Sequence, residues 1–331
     1  MKVSTLKKDL GVDFDQSSAL EGYIGHLLRD RPEAKAEVMR IRDVYHSLLI
    51  NRLKPKSGPP IPRIIHQIWL GDKPIPRAYE EYRRHWQRLH PQWEYRLWRD
   101  ADIATLRLPS ADLMQDTDCI GKRVDILRAE LVHRYGGLYV DTDYDCFRPV
   151  DVLNDYYDFY GTLRVFPLFY LWWQDVFPSP VTICNSFFAA MPGHPVLAEY
   201  LRLVRQEWSL PHNNQLLPEE MRFYRLLADT DRLSRHKSTL LVTYLTFYRA
   251  WLNQSGRDGR RDIIFPPSVF NPVDSWWFRG RFLMPRFWTS AISFFLRHPG
   301  GKLNEFDGVG DQAFTHHDSN ALWQKSKAPW Q

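Results

Sequence analysis

Hydrophobic residues first recur at helical spacing between about residues 18 and 53, where Val38, Met39, Ile41, Val44, Tyr45, Leu48 and Leu49 line up and Pro32 suits a first helical turn. Lys54-Pro55-Lys56-Ser57-Gly58-Pro59-Pro60 breaks that pattern and reads as a linker. The expected organisation is a helical N-terminal appendage over 1–58 and a main domain over 59–331. Arg63 to Leu70 then predicts a strand ending at Gly71-Asp72, followed by a helix with Tyr79, Tyr82, Trp86 and Leu89 on one side. A second strand follows at Glu94 to Trp98. Strand, helix, strand implies a parallel α/β sheet. Lys122 to Tyr135 predicts a further helix with Val124, Leu127, Leu131 and Tyr135 as its apolar stripe, which Gly136-Gly137 turns into a short buried strand, Leu138-Tyr139-Val140.

The chain has 331 residues, 44% hydrophobic and 25% charged, enough to bury a full core. Its net charge of +5 comes from interspersed residues without a basic stripe, which speaks against nucleic acid and suits anionic nucleotides or lipids. Cys119, Cys146 and Cys184 are odd in number and widely spaced, so neither a disulfide framework nor a thiolate zinc site is indicated. The start of the chain is polar, and no run approaches the ~20 apolar residues of a membrane span. These features predict a cytoplasmic protein in a reducing compartment.

Asp-Thr-Asp occurs three times, at 116–118, 141–143 and 229–231. The middle copy is set apart because it follows the predicted strand. Alternation along an extended chain would bring Tyr139, Asp141 and Asp143 to one face, so that two carboxylates emerge beside a phenol where the strand leaves the sheet. Crevices beyond the carboxyl ends of strands bind ligands in open α/β sheets, and Mg²⁺ or Mn²⁺ takes carboxylate oxygens together with substrate phosphates. On the preceding helix, Asp125 and Arg128 are three apart, a spacing that suits an intrahelical ion pair. Because the glycine turn joins that helix to the Asp-Thr-Asp strand, the pair can also lie near the carboxylates and hydrogen-bond sugar hydroxyls.

Three blocks together resemble glycosyltransferase family 32, the Asp-x-Asp sugar transferases, and more distantly the clostridial glucosylating toxins. They are Ile61-Pro62-Arg63-Ile64-Ile65-His66-Gln67-Ile68-Trp69-Leu70-Gly71; Arg123-Val124-Asp125-Ile126-Leu127-Arg128 with Tyr135 to Asp143; and Cys184-Asn185-Ser186-Phe187-Phe188 continuing to Gly193-His194-Pro195. The resemblance spans about residues 61 to 323. It implies a GT-A-like, single Rossmann-type mixed sheet flanked by helices, and a metal-dependent retaining transfer of a hexose from a UDP- or GDP-sugar to a glycan or glycolipid. A protein-modifying transferase and a non-catalytic sugar-nucleotide or glycan-binding protein are the alternatives.

Carried over by residue, the resemblance assigns Trp69 and Gln67 to the donor nucleotide, and Asp125 and Arg128 to donor sugar hydroxyls. It puts Tyr139 near the donor, Asp141 on ribose or sugar and in the metal shell, and Asp143 on Mn²⁺ or Mg²⁺ as direct ligand. Asn185 is either a sugar contact or a polar residue closing a strand or turn. His316 and His317 match the family's paired histidines and imply a further metal or phosphate ligand, with Trp323 as an aromatic lid. The expected Ser-Trp dipeptide is absent there, and Thr243-Tyr244 stands where the family often has Thr-Gly-Pro. Leu163 to Phe177 and Trp276 to Phe295 are dense in aromatics. Core packing, an acceptor wall and peripheral contact with a membrane are all open readings of them.

Overall fold

The computed structural model describes residues 10–49, 52–117, 120–165, 179–208, 245–270 and 315–317. Its centre is a six-stranded sheet built from β1 (Ile64–Ile68), β2 (Glu94–Trp98), β3 (Gly137–Val140), β5 (Phe159–Val165), β6 (Val181–Ala190) and β7 (Asp262–Phe265). In space the order is β2-β1-β3-β6-β5-β7. β1 runs parallel to β2 and β3, while β6 runs antiparallel to β3 and β5, and β7 is parallel to β5. One antiparallel strand in an otherwise parallel sheet makes the fold the mixed α/β architecture that the resemblance implies, of which the strand-helix-strand pattern predicts the parallel part. A separate two-stranded ribbon pairs β4 (Tyr144–Cys146) with β8 (Thr315–His317).

Every residue of β6 is buried, and so is all of β5 except Val165 at its end. Strands buried on both faces are apolar at most positions, and the exceptions are Thr162 and Arg164 in β5 and Thr182, Asn185 and Ser186 in β6. The Ile120–Tyr135 helix is buried without interruption from Asp125 to Val132, more than the single stripe expected of it. It is wedged between the sheet and the Pro195–Trp208 helix, where Tyr200 donates to the Asp125 carbonyl at 3.2 Å. A helix covered on two sides buries a wider arc than a surface helix does.

At the N-terminus the stretch predicted helical from about 18 to 53 divides into Tyr23–Leu27 and Pro32–Ser47, and a short helix, Phe14–Ser17, precedes it. Pro32 opens the last of these, as its fixed φ favours. Tyr45 is fully buried and meets Phe265 of β7 edge-on at 6.1 Å, so this helix closes over the sheet. The Pro-rich stretch after it is bonded down. Lys56 pairs with Asp158, its amide donates to the Asp155 carbonyl at 2.8 Å, and Arg261 holds the Lys54 carbonyl at 2.7 Å.

Candidate active site

The helix carrying Asp125 and Arg128 ends at Gly136, whose amide donates to the Val132 carbonyl at 2.8 Å. Gly136 and Gly137 have φ of +65° and +103°, a left-handed pair that ordinary side chains avoid. A Cβ on Gly137 would lie 2.6 Å from the Ile64 carbonyl oxygen, so β1 and β3 can approach only because this residue is glycine. His66 pins the turn from beneath. The Trp98 indole can only donate, and it does so to His66 Nδ1 at 3.1 Å, so Nε2 carries the proton and donates to the Gly136 carbonyl at 2.9 Å. Burial pushes the His66 imidazole down to about 4, which keeps it neutral in this role.

β3 ends at Val140, and Asp141 to Asp143 form a turn closed by the Tyr144 amide on the Asp141 carbonyl at 3.2 Å. The expected alternation therefore holds for Tyr139 and Asp141 but stops before Asp143, because the chain leaves the extended conformation there. The Tyr139 hydroxyl donates to Asp141 Oδ1. Burial raises Tyr139 well above the usual phenol range, so the phenol keeps its proton for that bond.

Arg128 joins the pieces. Its Nη2 lies 3.0 Å from Asp125 Oδ1 and 3.4 Å from Asp141 Oδ1, and its Nη1 donates to the Asn185 carbonyl at 2.8 Å. The guanidinium sits over the Tyr139 ring at 4.7 Å. Both predicted relations of Asp125 and Arg128 are thus present: the pair within the helix, and the approach to the Asp-Thr-Asp turn. Asn185 is neither at a strand end nor in a turn. It is buried in the middle of β6, where β6 runs past the end of β3, and its Nδ2 donates to Asp125 Oδ1 at 2.9 Å. Its own Oδ1 is a buried acceptor without a hydrogen-bond partner.

From β1, Gln67 Nε2 donates to the Asp141 carbonyl at 3.2 Å, and Tyr95 on β2 donates to Gln67 Oε1. Trp69 follows β1, half-buried, with its indole donating to the Lys73 carbonyl at 2.7 Å and its ring edge-on to Tyr79 at 6.3 Å. The sheet therefore gathers Gln67, Tyr139, Asp141, Asp125, Arg128 and Asn185 at one place. Backbone pairing sets His316 opposite Asp145 and His317 opposite Tyr144, just beyond Asp143. Trp323, Thr243-Tyr244, the 229–231 copy, residues 276–295 and most of 163–177 lie outside the described residues. In the 116–118 copy, Asp116 serves a different purpose, accepting from the Trp208 indole at 2.8 Å.

Sequence reasoning overlooked Tyr95, Tyr200 and the buried pair His194–Asp262, whose Nε2 and Oδ1 are 3.0 Å apart at the start of the Pro195–Trp208 helix. The lone carboxylate opening β7 was the available signal for Asp262. Among the described residues no group of three or more His, Cys, Asp or Glu side chains could hold a metal ion by itself. The donors at the turn are carboxylate oxygens, which fit Mg²⁺ or Mn²⁺ completed by phosphate oxygens and water.

Comparison with known proteins shows what the chain is similar to. Residues 76–160 match the family described as "Glycosyltransferase sugar-binding region containing DXD motif". Inositol phosphoceramide mannosyltransferase 3 of Schizosaccharomyces pombe is 29% identical over 173 residues, 51% of this chain and 43% of that protein. Inositol phosphoceramide mannosyltransferase 2 of the same yeast is 28% identical over 204 residues, 59% of this chain and 51% of the relative. Mannosyl phosphorylinositol ceramide synthase SUR1 of Saccharomyces cerevisiae is 27% identical over 179 residues, 51% and 43% of the two chains. The chain thus spans about half the length of the curated relatives it matches. A solved structure, "PaToxG Glycosyltransferase", aligns with a TM-score of 0.41 and 16% identity over 70% of this chain and 91% of that one. The resemblance read from the sequence is thus borne out at its central block: the helix, glycine turn and Asp-Thr-Asp turn lie inside the segment that matches the DXD-containing sugar-binding region of the glycosyltransferases.

Proposed function

We propose that this protein is a metal-dependent, retaining hexosyltransferase that moves a sugar from a nucleotide-sugar to a glycolipid, with GDP-mannose and an inositol phosphoceramide as the first donor and acceptor to try. The observation that carries this reading is Arg128 held between Asp125 and Asp141, the latter two residues before Asp143 in the same turn. The relatives' names add mannose and an inositol phosphoceramide as the chemistry nearest in sequence.

On this reading Asp143, with Asp141 beside it, holds Mn²⁺ or Mg²⁺, and His316 or His317 joins from the ribbon. When bound, such an ion neutralises the diphosphate and makes it a better leaving group. Asp125 and Arg128 orient the sugar hydroxyls, and the unpartnered Asn185 Oδ1 suits one more hydroxyl donor. Gln67 and Trp69 line the nucleotide side. Tyr139 keeps Asp141 aimed by donating to it.

Retention by double displacement needs a free carboxylate nucleophile. Asp125 is a poor one, since it is buried and its Oδ1 already accepts from Asn185 and Arg128. We favour same-face transfer, with the departing phosphate taking the acceptor proton. The test is nucleotide release from a panel of GDP- and UDP-sugars with Mn²⁺ or chelator, beside Asp143→Ala. Release from one donor that vanishes with chelator and in the variant is expected. Silence with every donor, with acceptor lipid present, would overturn the assignment.

A further inference from the structure

β4 follows Asp143 directly and is held by a helix from a distant part of the chain. On the Arg77–Leu89 helix, Trp86 donates its indole to the Tyr144 carbonyl at 3.0 Å. One residue earlier, His85 Nδ1 meets Asp145 Oδ1 at 2.7 Å, and that same oxygen accepts from the Cys146 amide at 2.8 Å. On its other edge β4 pairs with β8, Asp145 opposite His316 and Tyr144 opposite His317. β8 is tied back in turn by Thr315 to the Phe270 carbonyl.

A three-residue strand with one partner is too short to hold its own orientation, because isolated two-stranded ribbons are marginal in water. Trp86 and Tyr144 are both fully buried, so core packing already accounts for them. His85 and Asp145 differ: their side chains are 34% and 14% exposed, so neither is required by the core. Ion pairs open to solvent contribute little to stability, and His85 leaves this one in contact with solvent. What the pair does fix is geometry. It sets how far β4 stands from the helix and how it is rotated, two residues after Asp143.

We propose that His85 and Asp145 form a positioning pair that aims the Asp143 carboxylate and seats β8 across from it, without touching donor or cation. The inference rests on the reading of Asp143 as a cation ligand. Groups behind the ligands of a metal site commonly change its affinity about 10- to 100-fold when removed.

The test uses the full chain with GDP or UDP present. Free Mn²⁺ is followed by electron paramagnetic resonance in the wild type, Asp143→Ala, His85→Ala, His85→Asn and Asp145→Ala, with thermal melting alongside. His85→Asn serves as rescue, because its amide nitrogen can occupy the place of Nδ1. The expected result is Mn²⁺ affinity about 10-fold weaker in His85→Ala and Asp145→Ala, largely restored in His85→Asn, with melting temperatures within about 2 °C of wild type. Wild-type affinity in His85→Ala would overturn the proposal. So would equal weakening in His85→Ala and His85→Asn with a matching fall in melting temperature, which is the mark of plain destabilisation. If Asp143→Ala binds Mn²⁺ like the wild type, the cation reading fails first and the positioning role with it.

Discussion

The Arg128 guanidinium lies 3.4 Å from the Asp141 carboxylate, although one belongs to a helix and the other to the turn after β3. Arg128 and Asp125 are 7% and 3% exposed in their side chains, so this ion pair is buried. Replacing Arg128 by Met would take the guanidinium away from the buried Asp125 carboxylate and should lower stability by about 3–5 kcal/mol. Arg128→Lys keeps the charge but not the fork, so it should restore much of the stability and little of the turnover. Urea unfolding beside nucleotide release measures both.

Asn185→Asp would bring a second carboxylate to within about 3 Å of Asp125, where the amide now donates. Two carboxylates so close cannot both ionise, so one pKa rises above its unfolded value. A raised folded pKa means the variant's stability deficit is greatest at high pH and shrinks as pH falls and the pair takes a proton. Comparing urea midpoints with the wild type at pH 8 and pH 5 should show the gap narrowing; a constant gap would contradict the contact.

Gly137→Ala should destabilise by more than the ~1 kcal/mol of an ordinary glycine substitution, because a strained φ and a clash with the Ile64 backbone add together. Gly193→Ala is the control, since its φ is also positive at +69° but nothing lies within 4 Å of the added carbon. The melting temperature of Gly137→Ala should fall well below that of Gly193→Ala.

His66 carries a pH signature. Its folded pKa is pushed from 6.5 to about 4 by burial, so the unfolded chain binds the extra proton more readily between those values. Its contribution is fully present above pH 6.5 and is lost as pH falls toward 4. Burial lowers His90 as well, and with the same sign. In His66→Gln, stability should fall less steeply between pH 6.5 and 4 than in the wild type, as urea midpoints across that range would reveal.

The strands and helices near the site were legible because their signals are local. Glu94–Trp98 is a strand over its predicted residues, and Gly136-Gly137 marks the passage from helix to strand. Asp125 and Arg128 could be placed near the turn since Gly136 alone separates their helix from β3. Asn185 was not legible in its true setting. Its burial in the middle of β6 depends on an antiparallel strand passing beyond the end of β3, a relation between distant segments that no spacing rule expresses. Asp143 shows a subtler limit: period-two alternation assumes that the strand continues, and the turn closed by Tyr144 ends it. Tyr95 was hidden because its partner Gln67 lies on a neighbouring strand, reached only through sheet register.

The pairing of β4 with β8 bears on how the protein is made. β4 is translated long before β8, so a nascent chain that already has the helix, the glycine turn and the Asp-Thr-Asp turn still lacks the second strand of the ribbon. Until residues 315–317 emerge, that edge of the site stays incomplete, and a partly folded molecule is held short of its final geometry.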